Sequence, residues 1–117
     1  MSYDLRIAVK IDGLDRYYPI AYPDYDSPTY NLGEMFRACM NWDYEQGEYY
    51  RCSDIIENVE NGILELIRNT SAYEQYEPEN GWGNIQDAFD VLKSLKCCIY
   101  TTSDETNIPL QNLYVAW

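Results

Sequence analysis

Two alternating segments, one near each end of the chain, constrain its fold more than any other feature. Residues 5–11 read Leu-Arg-Ile-Ala-Val-Lys-Ile, placing Leu5, Ile7, Val9 and Ile11 on one face. Residues 110–117 alternate again, with Leu113, Val115 and Trp117 together. A period of two marks a half-buried strand. Between the two, the apolar period changes to that of a helix. Terminal strands that flank helices pair most simply with each other, antiparallel, under a helical cover. The pattern predicts one α+β domain over residues 1–117. Two antiparallel strands come from the N- and C-terminal segments, with room for a third at Tyr17–Tyr22, and they pack against three helices.

Asp12-Gly13 reads as the turn after the first strand. Pro19, Pro23 and Pro28 then exclude helix or central strand, leaving an ordered, tyrosine-rich loop. Leu32, Met35, Phe36 and Cys39 form the apolar face of a first helix. Asn31 is its expected cap, with Glu34 three residues on, and Thr29 is the rival. Residues 41–52 read as a polar, aromatic loop. Ser53 is the expected cap of a second helix whose core stripe is Ile55, Ile56, Val59, Ile63, Leu66 and Ile67. Gly62 in its middle costs about 1 kcal/mol against Ala and so implies close packing. Asn80-Gly81-Trp82-Gly83 is a tight turn opening the third helix, with Ile85, Ala88, Phe89, Leu92, Leu95 and Ile99 as its core stripe. Lys93 and Lys96 are expected near that helix's end, where cations suit the dipole. Residues 101–107 read as a polar loop.

The charge narrows the function. The 117 residues carry 20 Asp plus Glu, 8 Lys plus Arg and no His, a net −12. Apolar residues at 46% make the chain too hydrophobic for acidic disorder. A chain this acidic lacks the basic footprint that nucleic acid or an anionic membrane demands, so neither is expected as a direct partner. No basic leader with an apolar core opens the sequence, which points to a cytoplasmic protein. Cys39, Cys52, Cys97 and Cys98 are then expected as reduced thiols. Side chains at 97 and 98 diverge by about 100° on a helix and do not act as a pair.

Catalytic patterns are missing. Without histidine there is no base for a Ser or Cys triad and no histidine zinc site. The cysteines lack metal spacing, and no phosphate-binding glycine motif is present. Asp24-Tyr25-Asp26 and Asp43-Tyr44-Glu45 lack the spacing of a calcium loop. The reading is non-enzymatic, with no metal and no cofactor.

Where the acids lie is more telling. From Asp43 to Glu79 ten acids face only Arg51 and Arg68, so −8 of the −12 falls in about a third of the chain. Glu45, Glu48, Glu57, Glu60, Glu74, Glu77 and Glu79 are the candidate charged contacts. Tyr44, Tyr49, Tyr50, Tyr73 and Tyr76, interleaved with them, are the candidate aromatic contacts. Carboxylates match Arg forks and tyrosine favours interfaces, so the expected partner is a basic protein. A homodimer is a further possibility. The alternative is a small-ligand module, with Tyr30, Asn31, Trp42, Asn80 and Trp82 lining an anion or nucleotide pocket fed by two helix N-termini. Trp42, Trp82 and Trp117 otherwise serve as core anchors.

Thr29-Tyr30-Asn31-Leu32-Gly33-Glu34-Met35, Glu60-Asn61-Gly62-Ile63, and Tyr76-Glu77-Pro78-Glu79-Asn80-Gly81-Trp82-Gly83 together resemble a family of small acidic proteins of bacteriophages and integrated mobile elements. The shared pattern is an N-L-x-x-M helix start, a G-[IL]-x-x-L helix and a P-x-N-G-W-G turn, over roughly residues 28–95. Many relatives with this pattern carry His before the first Asn, where this chain has Tyr30. The resemblance implies an inhibitor of host proteins: an anti-CRISPR or other anti-defence protein, or a nucleic-acid mimic, that occupies a CRISPR or other defence nuclease. The step from family to role is an analogy.

Overall fold

The computed structural model describes residues 2–11, 15–81 and 83–117. In chain order the regular elements are β1 (Arg6–Lys10), β2 (Tyr17–Ala21), α1 (Gly33–Met40), β3 (Tyr49–Arg51), α2 (Cys52–Arg68), α3 (Thr70–Tyr73), α4 (Ile85–Thr106) and β4 (Tyr114–Ala116). The strands form one antiparallel sheet in the order β2-β1-β4-β3. The two terminal strands are its centre, with Ile7 opposite Val115. This is the predicted α+β architecture, with one strand and one short helix more than the sequence reading gave.

The added strand lies at a sheet edge and the added helix after α2. β2 carries Pro19 at the sheet edge, where a missing N–H costs no ladder bond. β3 is three residues long, too short to show a period, and lies in what read as loop. The extra helix, α3, is a single turn following Asn69.

Helix boundaries also shift. Thr29 is the cap of the first helical segment: its hydroxyl accepts from the Asn31 N–H, and a 3-10 turn over Tyr30–Leu32 leads into α1. Ser53 lies inside α2, whose cap is Arg51 with no side-chain bond. α4 runs on through residues 101–106, overturning the polar-loop reading. There the hydroxyls turn inward: Thr106 donates to the Thr102 carbonyl, and Ser103 to that of Ile108. Lys93 and Lys96 are consequently mid-helix, away from the negative end of the dipole.

The core lies between the inner sheet face and α1, α2 and α4. Leu5, Ile7, Met35, Phe36, Val59, Leu92, Leu95 and Val115 are fully buried in it. Ile11, expected on the same face, lies just past the end of β1 and is exposed, whereas Val9 still packs against the core. Ile67, expected in the α2 stripe, is 57% exposed. Gly62 makes the close approach anticipated for it: a Cβ there would sit 2.8 Å from Met40 Cγ and 2.9 Å from Leu92 Cδ1. α1, α2 and α4 therefore meet at this residue.

One end of the core is aromatic. Trp117 is buried among Phe36, Tyr44, Tyr3 and Trp42, stacked on Tyr44 at 4.8 Å. The outer sheet face is sealed differently. Tyr17 and Tyr49, from the two edge strands, stack at 4.2 Å, with Tyr114 edge-on to Tyr17. Ala8 and Ala116 of the central strands share this outer face and are fully buried. Arg6, Lys10 and Arg51 lie over the rings of Tyr49, Tyr17 and Tyr114, respectively.

Candidate functional site

α2 organises the acidic region. Its 17 residues span about 25 Å, and the candidate acids fall at its two ends and along its outer side. Glu45 and Glu48 sit on the turn between α1 and β3, which Gly47 closes at φ 85°. Glu57 and Glu60 project from α2. Glu74, Glu77 and Glu79 follow its far end, in the connector to α4. The surface is thus a ridge with acids at both ends, not one compact patch.

These acids differ in how far they are committed. Glu60 pairs with Lys96 Nζ at 3.2 Å and accepts from the Tyr100 hydroxyl at 3.1 Å. Glu77 accepts from the Ile85 N–H at 3.2 Å, at the start of α4. Glu45, Glu48, Glu57, Glu74 and Glu79 are exposed. Asp54, on the outer side of α2, joins them, and its place three residues before Glu57 is the sequence signal for that. Glu65 is held below the ordinary carboxylate range by hydrogen bonds from Asn69 and Tyr73.

The tyrosines serve the fold more than expected. Tyr44 is 2% exposed and is not a surface contact. Its hydroxyl donates to Tyr3 at 2.8 Å, its ring stacks on Trp117, and the Arg37 guanidinium covers it at 4.2 Å. Burial raises its pKa. The other four are half-buried. Tyr49 stacks on Tyr17 and accepts from Arg6 Nε. Tyr50 accepts from the Glu45 N–H and meets Trp42 edge-on. Tyr73 donates to Glu65 at 2.9 Å and packs near Tyr76.

Of the described residues named for the alternative pocket, Tyr30 and Trp42 are not brought together. Tyr30 packs on Tyr3, whereas Trp42 packs on Tyr44, Tyr50 and Trp117. The two stand at opposite ends of the first helical segment, about 15 Å apart along its axis. Asn31 and Asn80 are exposed. Trp82 and the Asp12-Gly13 turn lie outside the described residues.

A cleft of about 520 Å³ does open beside the glycine turn, lined by Ser2, Tyr25, Ser27, Thr29, Gly81, Gly83 and Asp87. Gly83 adopts φ 94°, and a Cβ on it would lie 2.9 Å from Thr29 Cγ2, so glycine is required. Three of the backbone amides at this turn are already satisfied. Asn84 accepts from the Asp87 N–H, Asp87 accepts from that of Asn84, and Glu77 takes the Ile85 N–H. Asp87 is the one formal charge among the described lining residues, and it repels anions. The geometry does not favour a phosphate or nucleotide there.

Cys39 and Cys52 are buried free thiols whose pKa burial pushes up to about 12, while Cys97 is exposed and Cys98 intermediate. Among the described residues no cluster of three metal-ligating side chains occurs, and no helix is long and apolar enough to cross a membrane. Compared with known proteins, the chain matches no family model, no curated sequence and no solved structure.

Proposed function

We propose that the chain is a non-enzymatic binding protein of the phage or mobile-element type, an inhibitor that occupies the basic, nucleic-acid-binding surface of a host defence nuclease. The observation that carries this reading is uncompensated surface charge. Of the acids among the described residues, Asp4, Asp15, Asp43 and Glu60 form ion pairs, and none of the others is paired within salt-bridge distance. Five of these free acids, Glu45, Glu48, Glu74, Glu77 and Glu79, flank the two ends of α2, about 25 Å apart, a spacing that lets them engage two separate basic patches. A mimic of the phosphate backbone needs spaced, solvent-held negative charge on a rigid support, and an exposed helix ridge supplies it.

Titration calorimetry against CRISPR effectors and other nucleic-acid-binding defence nucleases tests this reading. Binding is expected to weaken steeply as salt is raised, and nucleic acid is expected to compete. Replacing Glu45, Glu48, Glu74 and Glu79 together by Gln should cost about tenfold or more in affinity. Undiminished binding by that variant would overturn it.

A further inference from the structure

An asparagine side chain is most open to attack by its own backbone when glycine follows, because no Cβ hinders the next nitrogen. The chain holds two such pairs, Asn61-Gly62 and Asn80-Gly81, and the fold places them in opposite surroundings. Gly62 is buried in the middle of α2, where its N–H is committed four residues back along the helix. The Asn61 amide is held as well, its Nδ2 donating to the Cys39 carbonyl at 3.2 Å. Asn80 and Gly81, by contrast, are exposed in the turn that precedes α4. A single turn bond holds the Gly81 N–H, to the Pro78 carbonyl at 3.2 Å. Gly81 has φ 76°, a Cβ on it would meet nothing within 4 Å, and it borders the cleft of about 520 Å³. The turn therefore has room for a ring to close.

We propose that Asn80 is a site of spontaneous deamidation, selected over Asn61 by the fold. The Gly81 nitrogen gives its proton to solvent and attacks Asn80 Cγ. A C–N bond forms, a five-membered imide closes, and the side-chain nitrogen takes up a proton from solvent and leaves as ammonia. Water then opens the imide at either carbonyl, which leaves aspartate or isoaspartate at position 80. Each event adds one negative charge to the net −12, beside Glu77 and Glu79.

Local opening decides between the two sites. For Asn61 to react, the Gly62 nitrogen must first leave the helix ladder and its close packing against Met40 and Leu92. An exposed turn closed by one hydrogen bond opens at far smaller cost. The inference concerns the turn itself and does not depend on the binding role.

Peptide mapping of the full chain, after incubation in warm, mildly alkaline buffer, tests it. Trypsin separates the two sites into residues 52–68 and 69–93, and fragmentation assigns the modified position within each. In the folded protein Asn80 is expected to react at least about tenfold faster than Asn61. In urea the two should react at similar rates, since the unfolded chain presents the same dipeptide twice. Asn80→Gln should remove the dominant acidic species on ion exchange and leave the helical circular dichroism signal unchanged. A folded protein in which Asn61 reacts as fast as Asn80 would overturn the proposal. So would an Asn80 that reacts in urea but not in the folded chain, or an acidic species that Asn80→Gln forms at the wild-type rate.

Discussion

Burial divides the four thiols into two classes with opposite reactivity. Cys39 and Cys52 keep their protons in the folded chain up to about pH 12, from an ordinary value of 9.0. An aromatic disulfide reagent should therefore modify Cys97 quickly, and Cys39 and Cys52 only at the rate of unfolding. The same shifts make stability fall at alkaline pH. Between pH 9 and 12 the unfolded chain loses protons that the folded chain retains, so each thiol removes about 1.4 kcal/mol of stability per pH unit. Denaturant titrations across this range should show the decline, and Cys39→Ala with Cys52→Ala should make it shallower. Single residues were also where the sequence misled most. Tyr44 and Tyr49 stood between acids and read as contacts. Their partners Tyr3, Trp117 and Tyr17 lie far away in the chain, and no local pattern announces such ring packing.

Among the elements, α2 was the most legible and also the most demanding. Its apolar stripe, Ile67 apart, and its glycine found the neighbours that their spacing implied. Gly62→Ala should destabilise the fold by about 1–3 kcal/mol in urea, because the lost space against Met40 and Leu92 outweighs a gain of about 1 kcal/mol in helix propensity. At its far end, Glu65 binds Asn69 and Tyr73 and so holds the turn into α3. A carboxylate with a lowered pKa stabilises the fold above its unfolded value, and that contribution disappears as pH falls through the folded one. Glu65→Gln should remove this part of the acid dependence. The last turns of α4 were illegible for a physical reason. Thr, Ser and Asp disfavour helix interiors, and here the Thr106 and Ser103 hydroxyls donate to carbonyls within the same helix and just beyond it.

In the whole molecule the terminal strands do what their alternation implied: they pair at the centre of the sheet, and the helices cover one face. β3 and the tyrosine layer on the other face were not legible, since each depends on residues brought together only by the closed sheet. Trp117 ties the sheet to α1 through Phe36 and Tyr44, and Trp117→Ala should cost about 3–5 kcal/mol. The acidic ends of α2, by contrast, contribute little to this scaffold. Glu45, Glu48, Glu74 and Glu79 are exposed, and their carboxylates are in no ion pair among the described residues. They can be neutralised with the fold kept. The most direct measurement is accordingly the affinity of the four-fold Glu→Gln variant, beside that of the wild type, for a nucleic-acid-binding defence nuclease at two salt concentrations. Binding that falls about tenfold or more and loses most of its salt dependence is the predicted result. Equal affinity and an equal salt slope for both chains would contradict it.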